Sequence, residues 1–316
     1  MLSTSVSNFL CAKNCCSEIK NAGSAAGISG RIRAGVNALI FLLFIAFVVS
    51  ACNTKQSPAA TDRPGWKLVW QDEFNYTGLP DADKWDYETG HIANNEQQYY
   101  TRARKENVWV ENGLLTITAR EEEYPNARYS PGSSHWTTRN PTAPYTSARL
   151  ITLGKASWLY GRVEIKAKLP AGKGVWPALW MMGTDIKSVG WPACGEIDIM
   201  EFIGDKDPTT IYGTIHYKND AGKHASKEGK TKVDKPLNDF NIYAVEWDSD
   251  KIDVYFNDIK YQTFNINEAD ISHGTFHKPF YLLMNLALGG DWAGPVDASI
   301  LPQQYVIDYV RVYQKK

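Results

Sequence analysis

Apolar and polar residues alternate along most of the chain beyond residue 65. Across residues 162–169, Val163, Ile165, Ala167 and Leu169 fall on one side, and Arg162, Glu164, Lys166 and Lys168 on the other. Ile252, Val254 and Phe256 alternate with Asp253 and Tyr255, and residues 114–119 and 305–313 keep the same rhythm. A period of two marks a strand with one buried face. Residues 281–288 are more continuously apolar, which predicts a strand covered on both sides. Turn-forming clusters separate the runs: Asn112-Gly113, Pro170-Ala171-Gly172 and Gly289-Gly290-Asp291. No stretch carries the pattern of a long amphipathic helix. Many short strands between turns predict an all-β, two-sheet sandwich. Residues 65–316 show no internal repeat and no second domain, a span large but acceptable for one such unit.

The N-terminal region reads differently. Arg31 and Arg33 precede an apolar run at residues 38–51. That run is shorter than the roughly 20 residues a spanning helix needs. A basic segment, a short apolar segment and small residues before a break form the pattern of a secretion signal. The break, Val49-Ser50-Ala51-Cys52, resembles the lipobox of bacterial lipoproteins. That resemblance implies cleavage before Cys52 and lipid on its thiol. Residues 1–51 then form a lipoprotein-type signal peptide. The polar residues 52–64, with two prolines, form a flexible tether to the domain at 65–316. The basic region is long for a signal and leaves a translation start downstream of Met1 open. The expected location is the bacterial cell envelope, lipid-anchored at the outer membrane or cell surface, or the secreted fraction. Membrane contact is expected through the lipid alone.

Charge adds little. A formal net charge of -1, with no basic stripe and no acidic block, gives no reason to expect a nucleic-acid partner. Aromatic content changes the picture more. Eleven Trp and 17 Tyr exceed what one core requires, so many stand near a surface. Their faces stack well on the CH-rich faces of sugar rings. Four of the five cysteines, Cys11, Cys15, Cys16 and Cys52, lie in the leader region. Cys194 is left without an obvious partner and is expected to be a buried free thiol.

The candidate chemistry sits at Glu196-Ile197-Asp198-Ile199-Met200-Glu201. On a strand, Glu196 and Asp198 share a face. Glu201 joins them only if one extra residue bulges out near Ile199 or Met200. Crowding three like charges is costly in a purely structural strand. It suits proton and bond chemistry on a shared substrate atom. Glycoside hydrolysis needs two carboxyl groups flanking the bond, roughly 5–5.5 Å apart in retaining enzymes and further apart in inverting ones. Residues two apart on a strand face lie about 7 Å from each other, and residues four apart about 13 Å. The Glu196 and Glu201 side chains must therefore converge on a bond between them.

The segment from Gly195 to Glu201 resembles the signature of glycoside hydrolase family 16. The extra residue before the last Glu resembles the bulged subgroup that includes laminarinases, endo-acting β-1,3-glucanases. Tyr160-Gly161-Arg162-Val163-Glu164, Gly174-Val175-Trp176-Pro177-Ala178-Leu179-Trp180-Met181-Met182, Gly213-Thr214-Ile215-His216 and Asp308-Tyr309-Val310-Arg311-Val312-Tyr313 are similar to that family too. The resemblance implies a β-jelly-roll with a substrate cleft across its concave sheet. It also implies retention of configuration and a β-glucan polysaccharide as substrate. By the same resemblance Glu196 is the nucleophile, Asp198 its helper and Glu201 the acid/base. Trp176 and Trp180 would line non-reducing-end subsites; Trp191 and Trp292 are weaker candidates. Arg149 and Asn94 match positions that hydrogen-bond sugar hydroxyls, and His216 one beside the acid/base. Catalysis requires no cofactor on this reading. One structural Ca²⁺ is implied at Glu73, the Gly113 carbonyl and Asp308, oxygen ligands that suit a hard cation. The protein is expected to be a monomer. A mixed-linkage β-1,3-1,4-glucanase or galactanase of the same fold stays open, as does a non-catalytic surface glycan-binding protein.

Overall fold

The computed structural model describes residues 60–205, 208–233, 237, 239–269, 271–272 and 274–316. The apolar run at 38–51, the lipobox and Cys52 lie outside the described residues. The described chain opens with β1 (Trp66–Asp72), β2 (Asp86–Tyr87), β3 (Gln98–Tyr100), β4 (Val108–Glu111), β5 (Leu114–Pro125), β6 (Thr142–Ser147) and β7 (Arg149–Ile151). It continues with β8 (Gly161–Lys168), β9 (Val175–Gly183), the helical turn α1 (Ile186–Val189), β10 (Glu196–Glu201), β11 (Thr210–Lys218) and β12 (His224–Lys232). Last come β13 (Asn241–Trp247), β14 (Lys251–Phe256), β15 (Ile259–Asn265), β16 (Phe280–Leu288), α2 (Gly290–Ala293) and β17 (Gln303–Lys315). None of the described helices is long and apolar enough to cross a membrane.

The strands form two sheets, as an all-β sandwich requires. One runs β15-β14-β13-β8-β17-β5-β6-β3, with β1 added to β17 and β4 to β5. The other runs β12-β11-β10-β9-β16-β7-β2. A single large apolar cluster lies between them. Val163, Ile165 and Ala167 of β8 meet Ile197, Ile199 and Met200 of β10 and Leu282, Met284 and Leu286 of β16 in it. Every residue of β16 is buried. Its even-numbered residues face this core. Tyr281, Leu283 and Ala287 belong to smaller apolar clusters on the other face. The continuous apolar run in the sequence follows from that double cover.

The alternation in β8 hides one surprise. Arg162 and Glu164 stand on the polar side, yet each is only 2% exposed. Each charge is matched: Arg162 reaches Glu164 at 2.8 Å, Asp258 at 2.7 Å and Glu246 at 3.0 Å, and the Tyr309 hydroxyl donates to Glu164. A buried charge is tolerable only when paired in this way. Arg63 joins the network through Glu164 and Asp258. Asp62 accepts from the Leu68 N–H at 2.8 Å and pairs with Lys316. Residues 62 and 63, read from sequence as part of the tether, are thus fastened to the body. Cys194 is buried and unpaired, as expected, and burial pushes its thiol up to about 11.

The residues implied for calcium come from neighbouring strands. Asp72 pairs with Val310, and Leu115 with Ile307, so Glu73 and the Gly113 turn flank Asp308 on β17. Their carboxylates already face cations. Both Glu73 oxygens accept from Arg311 at 2.8 Å, and Asp308 pairs with Lys166 at 2.7 Å. As arranged, this donor set does not fit a calcium ion, which would compete with two fixed cations for the same oxygens. Thermal melting of the domain should therefore be unchanged by a chelator and by added Ca²⁺. A melting temperature that falls with chelator and recovers with Ca²⁺ would restore the calcium reading.

Candidate active site

The site grows from a fault in the β10 ladder. Against β11, Asp198 pairs with Thr214 but Glu201 with Tyr212; against β9, Asp198 pairs with Trp180 but Met200 with Leu179. One extra residue is accommodated on β10 on both sides, between Asp198 and Met200. Ile199 and Met200 consequently both point into the core, and Glu201 returns to the face of Glu196 and Asp198. Gly213 lies across from this bulge. A Cβ there would meet the Tyr261 hydroxyl at 2.7 Å and Val254 at 2.9 Å, so any side chain would force one of them to move.

All three acids line a cleft of about 760 Å³ on the outer face of the seven-stranded sheet. Asp198 is buried, while Glu196 and Glu201 keep an edge open. Each glutamate receives an indole N–H. Trp191 donates to Glu196 at 2.8 Å and Trp176 to Glu201 at 3.2 Å. Asp198 and Glu196 are neighbouring carboxylates on this face. His216 stands opposite Glu196 in the ladder, and its Nε2 lies 3.3 Å from Asp198. The resemblance placed His216 beside the acid/base; the carboxylate its Nε2 meets is Asp198, and it acts on Glu196 and Glu201 as well. One oxygen or ring nitrogen from each of Glu196, Asp198 and His216 lies within 4.8 Å of the others.

Burial pushes all three acids upward. Glu196 rises to about 8, first through burial and then through Asp198, while His216, the Trp191 N–H and Arg149 act the other way. Asp198 rises through burial, eased by the neighbouring Glu196. Glu201 is pushed well above the ordinary carboxylate range by burial, then by Asp198 and Glu196. Glu201, with two carboxylates beside it, is therefore pushed further than Glu196, whose rise His216, Arg149 and the Trp191 N–H oppose. Two carboxyl groups pushed apart in this way suit an acid and a nucleophile.

The other expected binding residues also reach the cleft, with different freedom. Trp176 packs edge-on against Trp292, which in turn meets Tyr212. Trp180 donates to Asn285 at 2.7 Å, and the Arg149 guanidinium covers its ring at 4.5 Å. Trp180 and Arg149 thus form one stacked unit. It is held by the Arg149–Glu88 ion pair at 2.8 Å. Asn94 lines the cleft in a left-handed backbone conformation, φ 57°, with its amide toward Glu96. Trp191 is 48% exposed and is the most open tryptophan of the cleft wall.

Several cleft residues escaped the sequence reading, Asn285, Glu96 and His224 among them. Asn285 is the one amide in the apolar β16 run, a visible signal. Glu96, two residues from Asn94, is buried and accepts from Gln98 and Tyr100. His224 becomes recognisable only once β12 is paired with β11.

The fold and this constellation agree with the known proteins the chain resembles. Residues 95–311 match the family model of glycosyl hydrolases family 16. The chain is 44% identical over 286 residues to a beta-glucanase of Rhodothermus marinus, covering 86% of this chain and 93% of that protein. The crystal structure of the laminarinase from Rhodothermus marinus superposes with a TM-score of 0.68 at 44% identity, over 79% of this chain and 98% of its own. A structure described with endo-acting O-glycanases of the human gut microbiota that initiate mucin breakdown gives a TM-score of 0.76 at 37% identity. It covers 82% of this chain and 94% of its own. The two-sheet sandwich with acids on one open face is that of a glycoside hydrolase. The chain belongs to glycosyl hydrolases family 16.

The proton held on Glu201 has a consequence for stability. An unfolded chain ionises this glutamate from about pH 4.5 upward, whereas the folded protein keeps it neutral. Its contribution is whole below that pH and is lost as pH rises toward the native value. Glu201→Gln removes the cost. The variant should be inactive, and its melting-temperature advantage over wild type should grow from about pH 5 to about pH 8. An advantage that shrinks over that range would contradict the raised proton affinity.

Proposed function

We propose that this domain is a retaining endo-β-1,3-glucanase acting on laminarin-like β-glucans. The observation that carries the reading is the β10 bulge, which sets Glu196, Asp198 and Glu201 on one open face. The likeness to the laminarinase of Rhodothermus marinus supports the substrate class. In the first step the Glu196 carboxylate attacks the anomeric carbon while Glu201 gives its proton to the glycosidic oxygen. The C–O bond breaks, the leaving chain departs as an alcohol, and a glycosyl ester forms on Glu196. In the second step Glu201, now a carboxylate, takes a proton from water. The water oxygen attacks the anomeric carbon and Glu196 is released. Asp198, beside Glu196 on the same face, borders the nucleophile and keeps negative charge near Glu201, which strengthens its grip on the proton.

A second substrate reading is endo-cleavage of an O-glycan by the same acids. The TM-score of 0.76 to the structure described with O-glycanases favours it. Both readings are tested by exposing the soluble body to laminarin, a mixed-linkage β-glucan and a mucin O-glycan. We expect internal cleavage of laminarin, with the β-anomer appearing first by proton NMR. Folded Glu196→Gln should lose roughly a thousandfold or more of that activity. Cleavage of the O-glycan alone would move the substrate to the second reading. Near wild-type turnover by Glu196→Gln, or first appearance of the α-anomer, would overturn the mechanism.

We further propose that the protein is held at a bacterial envelope by lipid on Cys52, from the lipobox in the sequence. Mass spectrometry of the mature chain should find a lipidated Cys52 at its N-terminus. Any other unmodified first residue would exclude the anchor.

A further inference from the structure

His224 has no part in the two-step reaction, yet it touches both groups that reach the first two acids. It stands on β12 at the cleft wall, one strand beyond His216. The β11–β12 register places Lys218 opposite His224 and Ser226 opposite His216, so the two imidazoles meet diagonally on one face. Their rings lie edge to edge and nearly coplanar, with centroids 5.2 Å apart and planes 18° from parallel. His216 Nδ1 and His224 Nε2 are 2.9 Å apart. The second nitrogen of His216 faces Asp198 Oδ2, a buried oxygen with no hydrogen bond of its own. On its other side the His224 ring lies 4.5 Å from Trp191, the indole that donates to Glu196.

We propose that His224 is a positioning residue, holding His216 with its Nε2 proton toward Asp198 and Trp191 with its N–H toward Glu196. The inference rests on the reading of Glu196 and Glu201 as the hydrolytic pair. Two neutral imidazoles joined nitrogen to nitrogen share one proton, so one donates and the other accepts. When His224 Nε2 donates, His216 Nδ1 accepts and a neutral His216 carries its own proton on Nε2. That tautomer turns a donor toward an oxygen that lacks one. The opposite tautomer would set a lone pair against a carboxylate. Burial and the neighbouring His216 keep His224 below its ordinary value, so it is neutral near pH 7. The charged and titratable groups around the pair are Glu196, Asp198 and Glu201 on β10, Lys218 on β11, Glu228 on β12 and Lys187 on α1.

Loss of His224 removes a packing partner of the Trp191 indole and loosens the N–H that favours the ionised form of Glu196. With that support weakened Glu196 ionises at higher pH, and the acid limb of the rate profile moves up. The test compares wild type, His224→Ala and His224→Gln. The Gln amide can place an N–H where His224 Nε2 stood. We expect His224→Ala to lower kcat about tenfold, with a smaller change in KM. Its acid limb should move up by about half a pH unit or more. His224→Gln should restore most of both. An unmoved acid limb in His224→Ala, a change in KM alone, or equal impairment of the two variants would overturn the proposal. Nitrogen-15 NMR of the histidines reads the same point without turnover. The Nε2-protonated form of His216 should dominate in wild type and lose that dominance in His224→Ala. An unchanged tautomer would reject the positioning role even if no glucan were cleaved.

Discussion

The extra residue in β10 couples the core to the chemistry. Ile197, Ile199 and Met200 are all buried between the sheets, so this short stretch is anchored by apolar packing on its inner side. An unbroken strand with that spacing would send Glu201 inward, where an unpaired acid among apolar side chains is strongly disfavoured. The bulge resolves the conflict by putting two successive apolar residues inward. Core packing and the placement of the acids are therefore one event. Neighbouring strands on both sides accept the shift, which makes the site a property of the whole sheet.

What distinguishes the acids is their surroundings. Glu196 lies near His216, Arg149 and the Trp191 N–H, all of which ease its ionisation. Glu201 feels two neighbouring carboxylates, with His216 and the Trp176 N–H in partial relief. The two glutamates share a strand, a face and a cleft, yet they hold their protons differently. The asymmetry is set by side chains from the strands and loops on either side, since β10 itself supplies only acids and apolar residues.

The opposite sheet handles charge by another rule. Arg162, Glu164, Asp258 and Glu246 are drawn into one network in which each charge meets its opposite. At the cleft the acids crowd together without a fixed cation in direct contact. A compensated network holds the scaffold steady, and an uncompensated one leaves charge for a substrate to use. Glu73 and Asp308 belong with the first kind, since Arg311 and Lys166 already meet them.

Much of this was legible in the chain. Period-two alternation located β8, β14 and β17, and the unbroken apolar run located β16, because side-chain parity follows directly from strand geometry. The three acids and the need for a bulge could be read from parity alone. Other features depend on pairing between distant segments, which no local pattern carries. The burial of Arg162 and Glu164 needed Asp258 and Glu246 beside them. The Arg149 cover on Trp180 needed β7 and β9 brought together through β16. The Asp198 partner of His216, and His224 altogether, went unread, because both depend on the register of β11 with its neighbours. Sequence thus determined which faces are apolar and which residues are acidic. Tertiary structure decided which groups meet across strands, and those meetings set the charge and proton position of each.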